Sequence, residues 1–204
     1  MSKPTVRILV KYSPMFGQKY CSIRIEDRAK ELKCEKHYDQ IWCVFDKDDF
    51  SDNDFNYAIH LANKLNFYTA YSNQAFEYWL ILHFDDHQGG GMAKKDYNGK
   101  LNELLSPFNI TFNGYGDKKI NEKLFELLNG LDVKTNKRRI DLAINRAKRN
   151  YHWFDHLNPA KEESSTTVFK LAEELLKHIW DIEWFYKKDI NQIALLVMYY
   201  FWLH

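Results

Sequence analysis

Cysteine is scarce: 3 in 204 residues, at Cys21, Cys34 and Cys43, with no CxxC pair and no even set. That argues against a disulfide framework and against a cysteine-built zinc cluster, and makes a reducing cytoplasm the expected compartment. An excess of either charge is missing too. With 29 Lys and Arg against 28 Asp and Glu the formal charge is +1, so no global pull toward nucleic acid or anionic membrane exists and any such affinity must be local. Long apolar runs are also lacking. The most apolar stretch, Ile193 to Leu203, falls well short of the roughly 20 residues that cross a bilayer and suits a buried or interface helix. At the start, a short apolar run broken by Lys11 lacks the apolar core and small-residue cleavage site of a secretory signal, so neither export nor a membrane partner is expected.

What is present is 45% hydrophobic residues, enough for one good core at a size that suits one domain plus a helical extension. Aromatics reach 16%, a share that can fill a core, form an interface or stack on bases. Val6 to Val10 reads as a strand, closed by Ser13-Pro14 and Gly17, and Ile23 to Leu32 has helical spacing. Ile41 to Phe45 is the continuous apolar run of a strand buried on both faces. A helix follows, with Ser51 or Asp52 as N-cap and Phe55, Ile59, Leu61, Ala62 and Leu65 on one side, then a strand at Phe67 to Tyr71. The order strand, helix, strand, helix, strand implies right-handed crossovers and a parallel sheet whose ligands gather at the carboxyl ends of its strands, where Asp46 and Ser72 fall.

Ala75 to Phe84 reads as an apolar helix, and Gly89-Gly90-Gly91 as a flexible joint. The expected organisation is an α/β domain over 1–88 and a helical region over 92–204 packing on it, with helices near 93–105, 118–129, 138–150, 165–186 and 189–203. The fold class is therefore α/β: a Rossmann-like, mainly parallel sheet flanked by helices, followed by a helical C-terminal region.

Val44-Phe45-Asp46-Lys47-Asp48-Asp49 sets carboxylates directly after a buried strand, and strand alternation lets Asp46 and Asp48 point to one side. Mg²⁺ favours such hard oxygen ligands, takes one or two protein carboxylates, and completes its shell with water and substrate phosphate. The competing reading is an acidic loop capping the next helix, since Asp near a helix N-terminus is favoured by the dipole.

The strings "VFDKDDF" and "AYSNQAFEYWLILHF" within residues 40–85 resemble the signature of RloB-like proteins, a branch of the Toprim proteins; weaker similarity extends to Tyr38-Asp39 and to "AINRAKR" at Ala143 to Arg149. The resemblance implies a Toprim-like fold and a metal-dependent phosphoryl-transfer site with Asp46 and Asp48 as catalytic ligands of Mg²⁺ or Mn²⁺. It also implies a role in prokaryotic anti-phage defence by abortive infection, alongside a partner ATPase. Two departures stand out. Ser72-Asn73-Gln74 replaces the family's "SNP", and the "CEGE"-like glutamate turn of the first Toprim strand is not found, Val6 to Tyr12 resembling the family's second strand. An N-terminally shortened member is thus expected, with an exposed sheet edge open to pairing.

Other residues carry two readings each. Glu77, one turn after Ser72 and Asn73, either completes the acidic site or is a first-turn glutamate favoured by the dipole. Ser72 and Asn73, at the strand end, are candidate substrate contacts. His83 either meets phosphate or is a satisfied core histidine. His83 with His87, and His152 with His156, have metal-sharing i, i+4 spacing without the glutamate of HExxH, and solvated histidines are the default. Lys134, Lys137, Arg138, Arg139, Arg146, Lys148 and Arg149 form either a nucleic-acid surface or a solvated helix face, with Lys118 and Lys119 weaker members.

The leading expectation is a Mg²⁺-dependent nuclease in which Asp46 and Asp48 hold metal and Glu77 assists, while Ser72, Asn73, His83, Lys118, Arg139, Arg146 and Lys148 contact the substrate, DNA or RNA with tRNA among the candidates. The alternative is an inactive Toprim remnant serving as a binding subunit for an ATPase or as a homo-oligomer. A third reading is an interaction protein that buries an aromatic helix carrying Tyr199, Tyr200, Phe201 and Trp202 in a partner.

Overall fold

The computed structural model describes residues 8–12 (backbone), 39–48, 50–88, 90–114 and 120–182. The expected helices at 23–32 and 189–203, and Asp49, Lys118 and Lys119, lie outside the described residues.

Three strands, β1 (Ile8–Tyr12), β2 (Gln40–Asp46) and β3 (Tyr68–Ser72), form a parallel sheet in the order β1-β2-β3, with Tyr12 opposite Val44 and Asp46 opposite Ser72. β2 owes its central place to its apolar run: Trp42, Cys43, Val44 and Phe45 are all buried. The period of two then divides them, Trp42 and Val44 entering one core and Cys43 and Phe45 the other.

Helix α1 (Asp52–Lys64) covers the Phe45 face with Phe55, Ala58, Leu61 and Ala62. Phe55 meets Phe45 and Tyr71 edge to face at centroid distances of 5.6 and 5.3 Å. Ser51 starts the helix, its Oγ accepting from Asp54 N at 3.1 Å. The opposite face is covered by α2 (Glu77–Ile81), α3 (Lys94–Leu105), α4 (Glu122–Asn129), α5 (Arg139–Tyr151) and α6 (Val168–Ile182). One apolar cluster joins Trp42, Val44 and Ala70 of the sheet to Trp79, Leu101, Leu124, Ala147 and Leu171, and so takes residues from both sides of the triple glycine.

The architecture is the expected α/β one, a small parallel sheet flanked by helices with a helical C-terminal region. The apolar segment at Ala75 to Phe84 is regular helix over Glu77–Ile81 alone, flanked by tight turns. A short antiparallel hairpin, β4 (Leu131–Asp132) with β5 (Lys137–Arg138), is an addition to the expected elements. Asp132 fixes its turn by accepting from Thr135 N and Oγ1, at 2.9 and 2.8 Å, too local a device to leave a periodic signal. No helix of the described residues is long and apolar enough to cross a membrane.

Candidate functional site

The carboxyl ends of β2 and β3 stay tied after the strands finish. Lys47 N donates to Ser72 O and Asp48 N to Gln74 O, each at 2.9 Å, while Phe50 N donates to Lys47 O at 2.9 Å and closes a turn. Asp48 has φ 43°, in the left-handed region that Asp tolerates better than most residues. Strand alternation therefore stops at Asp46, and the turn sets the direction of Asp48. Both aspartates are half-buried, and Oδ1 of Asp46 is shielded from solvent.

Two ammonium groups flank this turn. Lys161 and Lys47 reach Asp52 at 2.7 and 3.1 Å, and these contacts, Lys161 foremost, hold the Asp52 carboxyl below its usual range. Asp52 thus serves as an anchor for lysines.

Residues 158–167 cross the strand ends as a strap. Asn73 donates from Nδ2 to Pro159 O at 2.8 Å and from its backbone to Ser165 O at 2.9 Å. The Ser72 and Thr166 hydroxyls are 3.0 Å apart, Thr167 N donates to Tyr71 O at 2.7 Å, and Asn56 bonds both Asn158 Oδ1 and Ala160 N. Ser72 and Asn73, expected to face substrate, are buried and fasten this strap. Lys47, Asn56, Lys161 and Thr166 are the residues that reading the sequence missed. The hydroxyl run Ser164 to Thr167 was the available signal.

Glu77 is buried in the first turn of α2, and a Cβ at Gly114 would lie 2.9 Å from its Oε1, so glycine there admits the carboxylate. Among the described residues no three His, Cys, Asp or Glu side chains form a group that could hold a metal, so Glu77 is not gathered with Asp46 and Asp48 into one.

His83 is fully buried, its Nδ1 3.0 Å from Trp79 O and its ring edge-on to Trp79, and burial lowers it to about 4. It is a neutral core histidine with no route to phosphate in this conformation. Arg139 is buried as well: Nη1 donates to Leu131 O at 2.7 Å, and the guanidinium lies over Phe84 and Phe108 at 5.6 and 5.3 Å. Arg146 donates to Leu82 O at 2.8 Å, closing the end of α2. Lys148 pairs with Glu173 at 2.5 Å and Arg149 with Asp86. The basic run is therefore divided between carbonyl-capping arginines and surface ion pairs.

Residues 8–175 match the family model described as RloB-like protein. The chain belongs to the RloB-like family. Its matched span takes in all three sheet strands, the acidic turn and the whole strap. No curated protein and no solved structure matches this RloB-like chain. Beyond the strap, His156 stacks on Tyr151 at 3.7 Å and meets the buried Glu162 at 3.0 Å, while His152 is exposed, so this histidine pair splits between two environments.

Proposed function

We propose that this RloB-like protein is a metal-dependent nuclease of Toprim type that hydrolyses nucleic-acid phosphodiesters, with Asp46 and Asp48 holding Mg²⁺ or Mn²⁺. The supporting observation is the turn itself: two aspartates at the carboxyl end of the central parallel strand, where α/β sheets gather ligands, in a backbone pinned by the bonds that Lys47 N and Asp48 N donate to Ser72 O and Gln74 O. The donor set fits a hard cation, being carboxylate oxygen without nitrogen or sulfur, and two carboxylates suffice when water and phosphate complete the shell. Bound there, the ion supplies Lewis acidity and lowers the pKa of a water. The protein's own residues orient and neutralise. Lys47 and Lys161 share Asp52, and the exposed Lys161 pair is the weaker kind that solvent screens, so its ammonium can exchange onto a substrate phosphate. Family membership supports a place in anti-phage defence, with a partner ATPase, and a cytoplasmic setting.

A second reading is an inactive binding subunit, favoured because, among the described residues, no third His, Cys, Asp or Glu joins Asp46 and Asp48 in a metal-holding group. Cleavage of single- and double-stranded DNA, RNA and tRNA in Mg²⁺ or Mn²⁺ decides between them. Asp46→Ala is expected to lose on the order of a hundredfold or more in rate with its melting profile retained. Equal activity in the two proteins overturns the nuclease, and metal-dependent retention of nucleic acid without cleavage supports the binding subunit.

A further inference from the structure

A pocket of about 280 Å³ lies where the last turn of α5 meets the outer side of the strap, lined by Gln88, Asn150, Trp153, Phe154, Glu163 and Ser164. That is just below the range of roughly 300–1,000 Å³ usual for drug-sized ligands and suits a smaller one. We propose that it binds an unpaired nucleobase bearing an exocyclic amino group.

One of its lining residues carries a buried acceptor in want of a donor. Asn150 is only 5% exposed; its Nδ2 donates to Tyr78 Oη at 2.8 Å and to His87 O at 3.1 Å, and its Oδ1 accepts nothing among the described residues. A buried carbonyl in that state asks for a ligand N–H or an ordered water. The rim carries one more acceptor. Glu163 receives Gly91 N on Oε2 at 2.9 Å, and a Cβ on Gly91 would sit 2.1 Å from that oxygen, so glycine lets the carboxylate in. Ser164 beside it is buried and engaged, donating to Gly90 O at 3.3 Å and meeting the Tyr97 hydroxyl.

Trp153 is 76% exposed, a large flat indole held in water directly after the helix that supplies Asn150. Such a ring is a stacking platform for bases. A planar ligand with an apolar face and several N–H groups on its edge satisfies platform and acceptors together, as adenine, cytosine and guanine do. Uracil and thymine lack the amine.

A sugar also stacks on tryptophan, but a cation beside the pocket favours a nucleotide. Arg149, next to Asn150 in the chain, is held by a surface pair to Asp86, two residues before the lining Gln88, a weak contact that a phosphate can displace. The inference stands apart from the proposed metal chemistry, since no lining residue belongs to the acidic turn.

Calorimetric titration of the full chain in EDTA with AMP, CMP, GMP and UMP, and with short single strands of A, C or U, tests it. The amino-bearing nucleotides or strands are expected to bind at least tenfold more tightly than the uridine ones. Trp153→Ala weakens them by roughly tenfold or more, Trp153→Phe restores most of the loss, and neither shifts the melting temperature. Binding of mononucleotides identifies a free nucleotide as the source; binding of strands alone identifies a base within a polymer. Equal affinity for uridine, unchanged affinity in Trp153→Ala, binding of N-acetylglucosamine in place of nucleotides, or no binding at all overturns the proposal. The assay contains no cleavage step, so its failure leaves the nuclease reading untouched.

Discussion

His83 shows how burial decides what a titratable side chain does. Its ring is fully enclosed and lowered to about 4, whereas in the unfolded chain it titrates near 6.5. Between those values the unfolded state binds the extra proton, so stability is full above about pH 6.5 and falls as the pH drops toward 4. Urea midpoints at pH 7 and pH 5 should show part of that loss, about 2 kcal/mol from this group, and His83→Asn should remove its share of the pH dependence. An identical pH slope in the variant would refute the assignment. Asp46 was legible at this scale because it ends an unbroken apolar run. The role of Arg139 was not, because its partners Phe108 and Leu131 are distant in sequence or lie in a hairpin without periodicity.

At the scale of elements, β2, β3 and α1 followed from the sequence because each carries an uninterrupted period, of two or of 3.6. The strap did not, since its structure is the sum of long-range hydrogen bonds such as Asn73 to Pro159 and Asn56 to Asn158. Two substitutions weigh these forces. Ser51→Ala removes the α1 cap and should cost about 1 kcal/mol, seen as a lower denaturation midpoint with unchanged slope. Asn73→Ala orphans the Pro159 carbonyl and should cost about 1–3 kcal/mol, with faster hydrogen exchange at Thr167, whose amide bonds Tyr71 O. Exchange at Thr167 as slow as in the parent protein would mean that the strap is held by something else.

For the molecule as a whole, the telling fact is that sheet and helices share one apolar cluster. Trp79, fully enclosed, belongs to a cluster whose members come from both sides of Gly90. Residues 1–88 alone should therefore fail to reach a cooperative fold, giving poorly dispersed amide resonances and no sharp thermal transition, even though that half contains every strand of the parallel sheet. A well-dispersed spectrum from the fragment would show that the sheet carries its own core.

The bend at Asp48 lends itself to one last use. Asparagine visits positive φ as readily as aspartate does, so Asp48→Asn discharges the position while the chain keeps its path from Lys47 to Phe50. Shape and charge are separable at that single point, and a chemist wishing to know whether the loop attracts an ion or merely folds can alter one and leave the other alone.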